Sequence, residues 1–415
     1  MNKVKTVAVI GGGVSGLTVA HQLKNKYAVT IYEKEDRCGG LIRCKKVAGS
    51  LFHLCGGHIF NTKREDVSDF FWSKFKKERD FVSAERNSVV YFSKSQIVPY
   101  PIENHVYLFS SDILKNFIRD LILISKTDTV VPNNFEEFLK TRFGETLYEH
   151  YFKPYNEKLW RCDLRNVPMD WLEGKLPMPT VQEIIYNNIL QVKEKNFVHS
   201  TFYYEKQGGS QFLADELAKG LNIRYNLNVT SIERRGCKWL VNGCDYDIVV
   251  FCGNIKDILL ILKGVDLDTF KDQILRLKYH GTTSVFCEIE KKPYSWIYLP
   301  SKDYLSHRII CTGNFSPSNN AEGKMTATIE FTDEIKREDI LRNLCKLPYK
   351  PLYLGHHYNR YTYPIQDCNT RKMVKSLKSY LAPMGLYMTG RFADWEYYNM
   401  DVAMGAAIDL CKNLK

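Results

Sequence analysis

The chemistry of this chain is written first in its glycines and one acid. Gly11-Gly12-Gly13-Val14-Ser15-Gly16 fits the spacing G-x-G-x-x-G. It follows the apolar run Thr6–Ile10 and leads into Leu17–Leu23, which reads as strand, tight turn and helix. A second apolar run, Ala28–Tyr32, ends at Glu33. Gly11 permits the turn, Gly13 lets the backbone approach a pyrophosphate, and Gly16 lets helix and strand pack closely. The helix N-terminus offers free N–H groups and partial positive charge to phosphates. Glu33 lies about 20 residues downstream, where the fingerprint needs an acceptor for ribose hydroxyls. Strand, turn, helix, second strand and acid in that order predict that the chain holds a dinucleotide.

The acid is followed by Lys34-Glu35-Asp36-Arg37-Cys38-Gly39-Gly40-Leu41-Ile42-Arg43. Paired glycines directly after the acid, with a basic residue beyond, resemble the FAD-binding segment of amine-oxidase and glutathione-reductase type flavoproteins. The pair lets a loop pass near the flavin, and Arg43 is placed to face a phosphate. An ordinary surface turn would also use Gly-Gly.

These residues need a scaffold built from separated pieces. After a strand-like Ser88–Phe92, residues 110 to about 196 show apolar positions three or four apart and predict helices. The alternation of strand and helix returns with Gly208-Gly209-Ser210 and continues through strands expected at Asn228–Glu233, Trp239–Asn242 and Asp247–Cys252. Strand-rich sequence then runs from Thr282 to about Phe331, and a strand and a terminal helix close the chain. The expectation is an α/β chain of three interleaved units. A Rossmann-like FAD-binding domain takes 1–85, 205–275 and 370–415. A helical substrate domain takes 108–204. A mixed or antiparallel sheet domain facing the substrate takes 86–107 and 276–369.

Composition narrows the classes. The 415 residues are 44% hydrophobic and 25% charged, as in ordinary globular proteins. The net charge of +11 is spread along the chain, without a helix-turn-helix, zinc-finger or RNA-recognition signature. It predicts a basic surface with an anion pocket and no nucleic-acid partner. None of the 12 cysteines forms C-x-x-C. No signal peptide and no apolar stretch of about 18 residues is visible. Reduced thiols, a cytoplasmic location and no membrane insertion are the expectation. The sequon Asn228-Val229-Thr230 reads as a strand feature.

Further segments carry a resemblance to the UDP-galactopyranose mutase family. They are Gly56-Gly57-His58-Ile59-Phe60, Tyr100-Pro101-Ile102-Glu103-Asn104, Phe152–Trp160, His307-Arg308 with Asn314-Phe315-Ser316-Pro317, and Tyr363-Pro364-Ile365. The last is Gly390-Arg391-Phe392-Ala393-Asp394-Trp395 continuing to Tyr398-Asn399-Met400-Asp401-Val402-Ala403. The resemblance implies a reduced FAD whose N5 attacks the anomeric carbon of a nucleotide sugar as UDP leaves. The sugar opens and recloses on another hydroxyl, interconverting pyranose and furanose without net redox change. It implies flavin contacts from Gly11, Gly13, Val14, Ser15, Gly16, Glu33, Lys34, Gly39, Gly40 and Leu41. Others come from Gly57, His58, Ile59, Val229, Gly390, Arg391, Asn399, Met400, Asp401 and Ala403.

On the same ground Arg308, Lys175 and His58 are the catalytic candidates. Tyr155 and Trp160 would stack on uracil, Tyr363 and Tyr398 would bind phosphate, and Asn104 would line the substrate. The family carries an arginine after a Trp-Leu pair where this chain has Trp171-Leu172-Glu173-Gly174-Lys175. Lysine keeps the charge and loses the bidentate fork. An external reductant is implied, with a homodimer as one assembly. Three alternatives share the glycine-rich ends: an amine-oxidase or protoporphyrinogen-oxidase-like oxidoreductase, a mutase for another nucleotide sugar such as a deoxythymidine-linked one, and a flavin-containing binding protein.

Overall fold

A computed structural model describes residues 4–127, 131–167, 169, 179–192 and 201–414. The nucleotide-binding motif sits on a five-stranded parallel sheet. Its order is Leu386–Met388, Ile248–Phe251, Thr6–Ile10, Ala28–Tyr32, Ile223–Arg224. The strands arrive from three distant parts of the chain, and the central ones are apolar runs covered on both faces. Val9 lies between Val250 and Ile31 in register. One face is covered by the Val14–Leu23 and Met400–Lys412 helices, through Leu17, Ala20, Met404 and Ala407.

A seven-stranded sheet forms the second layer. Its order is Leu352–Ile365, Lys278–Glu288, Thr326–Thr332, Arg308–Ile310, Trp296–Tyr298, Ser88–Ser93, Gln96–Pro99. All pairings are antiparallel except that between Trp296–Tyr298 and Ser88–Ser93. Thr326–Thr332 is buried at every position, so a charged residue within it needs an internal partner.

The helical unit contains Ser111–Lys126, Phe135–Leu147, Lys153–Trp160 and Val181–Leu190. Side chains cap three of these helices. Ser110 accepts from the Ile113 N–H, Asn134 from Glu137, and Thr180 forms a reciprocal box with Glu183. Phe117, Phe135, Phe143, Tyr151 and Trp160 share its core. The chain returns from it through Thr201–Glu205, which pairs with Phe81–Glu85.

The strand expected over Asn228–Glu233 starts later, at Ile232. Asn242 explains the delay. Its side chain accepts from Thr230 and Ser231 N–H and donates to the Asn228 carbonyl, replacing a ladder with side-chain bonds. The sequon Asn228-Val229-Thr230 is therefore loop and not strand. The strands expected over Trp239–Asn242 and Asp247–Cys252 appear as Lys238–Val241 and Ile248–Phe251. All 12 cysteines are free.

Candidate active site

The glycine loop forms one wall of the site. Gly11 has φ +106, and a Cβ on Gly16 would lie 1.9 Å from the Gly11 carbonyl oxygen, so no side chain fits at either position. Gly13 differs, because a Cβ there meets nothing within 4 Å. Its backbone faces open space at the start of the Val14–Leu23 helix, whose N-terminus no side chain caps. Two other glycine segments close on the same place. Gly39 N–H donates to the Gly12 carbonyl at 2.9 Å, and a Cβ on Gly390 would lie 3.2 Å from Ser15 Oγ. Open backbone and a helix dipole fit the diphosphate of a dinucleotide.

Glu33 is buried, and its carboxylate braces this turn. It accepts from Gly12 N–H at 2.7 Å and from Glu35 N–H at 3.0 Å. The Arg43 guanidinium lies 3.3 Å from Glu35 and donates to the Gly40 carbonyl. Lys34 is exposed, and Val229 is buried in the core beside the sheet. Asn399 starts the Met400–Lys412 helix without capping it, while Met400 and Ala403 are buried and Asp401 is half-buried.

A second cluster gathers residues from five separate segments. Arg308 Nε is ion-paired with Glu330, which is fully buried, and Arg308 Nη2 donates to the Tyr363 hydroxyl at 3.1 Å. No described residue takes Nη1. Tyr363 stacks on Tyr397 with ring centres 5.3 Å apart and meets Trp160 edge-on at 6.5 Å. Arg391 lies 4.2 Å from the centre of the Tyr397 ring and donates to the carbonyls of Thr362 and Tyr398. Tyr155 is buried and packs against Tyr298 and Tyr151.

Glu330 joins this cluster to the histidine loop. It accepts from Gly56 N–H at 2.8 Å, two residues before His58. Burial alone would push the Glu330 carboxyl up, but Arg308 and then His307 outweigh it and hold it well below the usual range. His58 goes the other way: burial and the nearby Arg391 charge lower it to about 4, so it is neutral at neutral pH. One ring nitrogen of His58 bonds the Leu41 carbonyl at 3.0 Å, which ties it to the Gly39-Gly40 segment.

Not every candidate from the sequence joins the site. Lys175 lies outside the described residues. Asn104 is buried and accepts from Asn187. The hydroxyl of Tyr398 faces Asp394, and the ring that reaches Arg391 and Tyr363 belongs to its neighbour Tyr397. Ile59 packs beside Phe202 and Phe315. Sequence reasoning passed over Tyr397 and Glu330. The signal for Glu330 was present, as one acid in the strand Thr-Ala-Thr-Ile-Glu-Phe-Thr. Among the described residues no His, Cys, Asp and Glu cluster could hold a metal, and no helix is long and apolar enough to cross a membrane.

Residues 9–73 match the NAD(P)-binding Rossmann-like domain family. The dTDP-fucopyranose mutase of Escherichia coli is 24% identical over 430 residues, spanning 99% of this chain and 97% of that one. The coproporphyrinogen III oxidase of Mycobacterium leprae is 30% identical over 253 residues, 57% of this chain and 55% of that one. The crystal structure of a reduced UDP-galactopyranose mutase superposes with a TM-score of 0.88 at 21% identity, covering 99% of this chain and 95% of that one. The chain is thus similar along its whole length to a mutase of a nucleotide-linked pyranose, and it has the fold of another.

Proposed function

We propose that this protein is a flavin-dependent mutase that interconverts the pyranose and furanose forms of a nucleotide-linked sugar. The observation that carries the reading is the cluster Arg308, Tyr363, Tyr397, Arg391 and Trp160, joined through Glu330 to the loop of His58. An oxidase has less use for an arginine so held. The FAD would lie along Gly11–Gly16, Gly39-Gly40 and Gly390, and when reduced it would supply the nucleophile for the anomeric carbon.

The residues do the rest. As the nucleotide departs, charge builds on its diphosphate. Arg308 meets that charge with Nη1, while Nε and Nη2 stay fixed on Glu330 and Tyr363. The fixing matters, because a preoriented donor needs no reorganisation when the bond breaks. Tyr155 and Trp160 are buried apolar rings on one helix and would pack against the base. His58 is held neutral and would contact the flavin without adding charge beside it. The division into nucleotide-binding, helical and sheet units belongs to the same proposal.

The test compares holoprotein reduced with dithionite and the oxidised form, offered UDP-galactofuranose and dTDP-fucofuranose, with products separated by chromatography. Conversion of either sugar in the reduced sample alone is expected. Oxidation of a porphyrinogen with no conversion of either sugar would replace this reading with the oxidase.

A further inference from the structure

The helix Lys153–Trp160, which carries Tyr155 and Trp160, is pinned at its end by a residue the proposed chemistry does not use. His280 lies in the Lys278–Glu288 strand, opposite Tyr363 of the neighbouring strand. One ring nitrogen, Nδ1, is 3.0 and 3.2 Å from the two carboxylate oxygens of Asp333. The other, Nε2, is 2.6 Å from the carbonyl oxygen of Trp160. Both neighbours are acceptors, so each ring nitrogen faces an oxygen and the imidazole bridges the two. That carbonyl is one of those a helix leaves unbonded at its end, and Arg161 terminates the helix at φ +49.

Asp333 is itself held in place. It adopts φ +64, and its carboxylate accepts from Gly281 N–H at 2.9 Å. Thr283 donates to its carbonyl at 2.7 Å. It stands three residues after Glu330 on the same stretch of chain. The contacts therefore run Asp333, His280, Trp160, Tyr363, Arg308, Glu330, and back along the chain to Asp333.

We propose that His280 is a positioning residue, bridging Asp333 and the Trp160 carbonyl so that Tyr155 and Trp160 stand at the separation from Arg308 that a nucleoside diphosphate requires. This rests on the mutase reading for its ligand, but the latch has its own readout. Lys158 and Arg161 also tie this helix to the sheet side, through the Leu299, Ser306 and Thr332 carbonyls. Loss of His280 should therefore loosen the last turn without releasing the helix.

The experiment uses flavin-loaded protein with His280→Ala, His280→Gln and His280→Arg. Hydrogen exchange of residues 155–161 is measured, with Kd for UDP and dTDP and kcat and KM for whichever nucleotide sugar wild type converts. His280→Ala should keep its flavin, exchange these amides ~10-fold faster and weaken nucleotide binding ~10-fold, the order of one charge-assisted hydrogen bond. KM should rise more than kcat falls. His280→Arg, which donates at both ends, should restore both quantities, and His280→Gln, with one acceptor atom, should not. Unchanged exchange in His280→Ala overturns the latch. Faster exchange with unchanged nucleotide affinity overturns the positioning role. If wild type binds neither nucleotide while exchange still responds, the latch stands and the mutase reading falls.

Discussion

Arg308 and Glu330 show how much one pair decides. Glu330 is fully buried, and its ion pair leaves no free charge inside the sheet. Removing one partner exposes the other's desolvation cost, on the order of 3–5 kcal/mol for a buried pair. Arg308→Ala should therefore abolish turnover with flavin retained, and its melting temperature should also drop. Glu330→Gln separates the roles better. The amide still accepts from Gly56 N–H, but Arg308 loses its counter-charge and its fixed orientation. Turnover should fall ~10²-fold, the scale of losing one preorganised donor, with the flavin spectrum unchanged. Steady-state rates beside a flavin-to-protein absorbance ratio read both. A Glu330→Gln variant with wild-type turnover would show that Arg308 does not act from the position seen here.

Among the elements, the glycine turn gives the sharpest contrast. Gly16→Ala would press a methyl into the Gly11 carbonyl, so the strand–helix unit should not assemble and little folded protein should be recovered. Gly13→Ala enters open space and should leave the flavin-free melting temperature within the small range of a surface substitution, ~0.5 kcal/mol. Its flavin affinity should fall at least ~10-fold, because the methyl occupies the approach path of the pyrophosphate. Flavin titration by fluorescence quenching decides this, and undiminished affinity would move the diphosphate elsewhere. This turn was the most legible part of the sequence, since Gly11 and Gly16 answer to local steric needs and Gly13 to the close approach of a ligand. Helices with apolar residues three or four apart were legible for the same reason, and so was the strand of Arg308. Glu330 and Tyr397 were not. Their importance depends on partners 22 and 34 residues away, Arg308 and Tyr363, which only the folded chain brings to them. The late start of the Ile232 strand was hidden because a single asparagine side chain substitutes for a ladder.

At the scale of the molecule, buried titratable groups pull stability in opposite directions with pH. Glu205 is fully buried, neither of its carboxylate oxygens bonds another described residue, and burial raises it to about 8. The native state keeps its proton where the unfolded chain has lost it, so Glu205 costs stability progressively from about pH 4.5 to 8. His21, His53 and His58 are lowered by burial to about 4, 3 and 4. There the unfolded chain binds protons that the native state refuses, so each histidine costs stability as pH falls below about 6.5. Between about pH 4.5 and 6.5 three histidines oppose one glutamate, and stability should rise with pH. Between about 6.5 and 8 Glu205 alone among these four titrates and pulls stability down by up to about 1.4 kcal/mol per unit, while Lys158, lowered by burial to about 7, pulls it up above pH 7. Glu205→Gln keeps the shape and removes the alkaline branch, so its advantage over wild type should widen steadily from pH 5 to 8. A melting series of both proteins across that range tests this. Parallel curves would mean that Glu205 finds a partner in solution and ionises as an ordinary carboxylate.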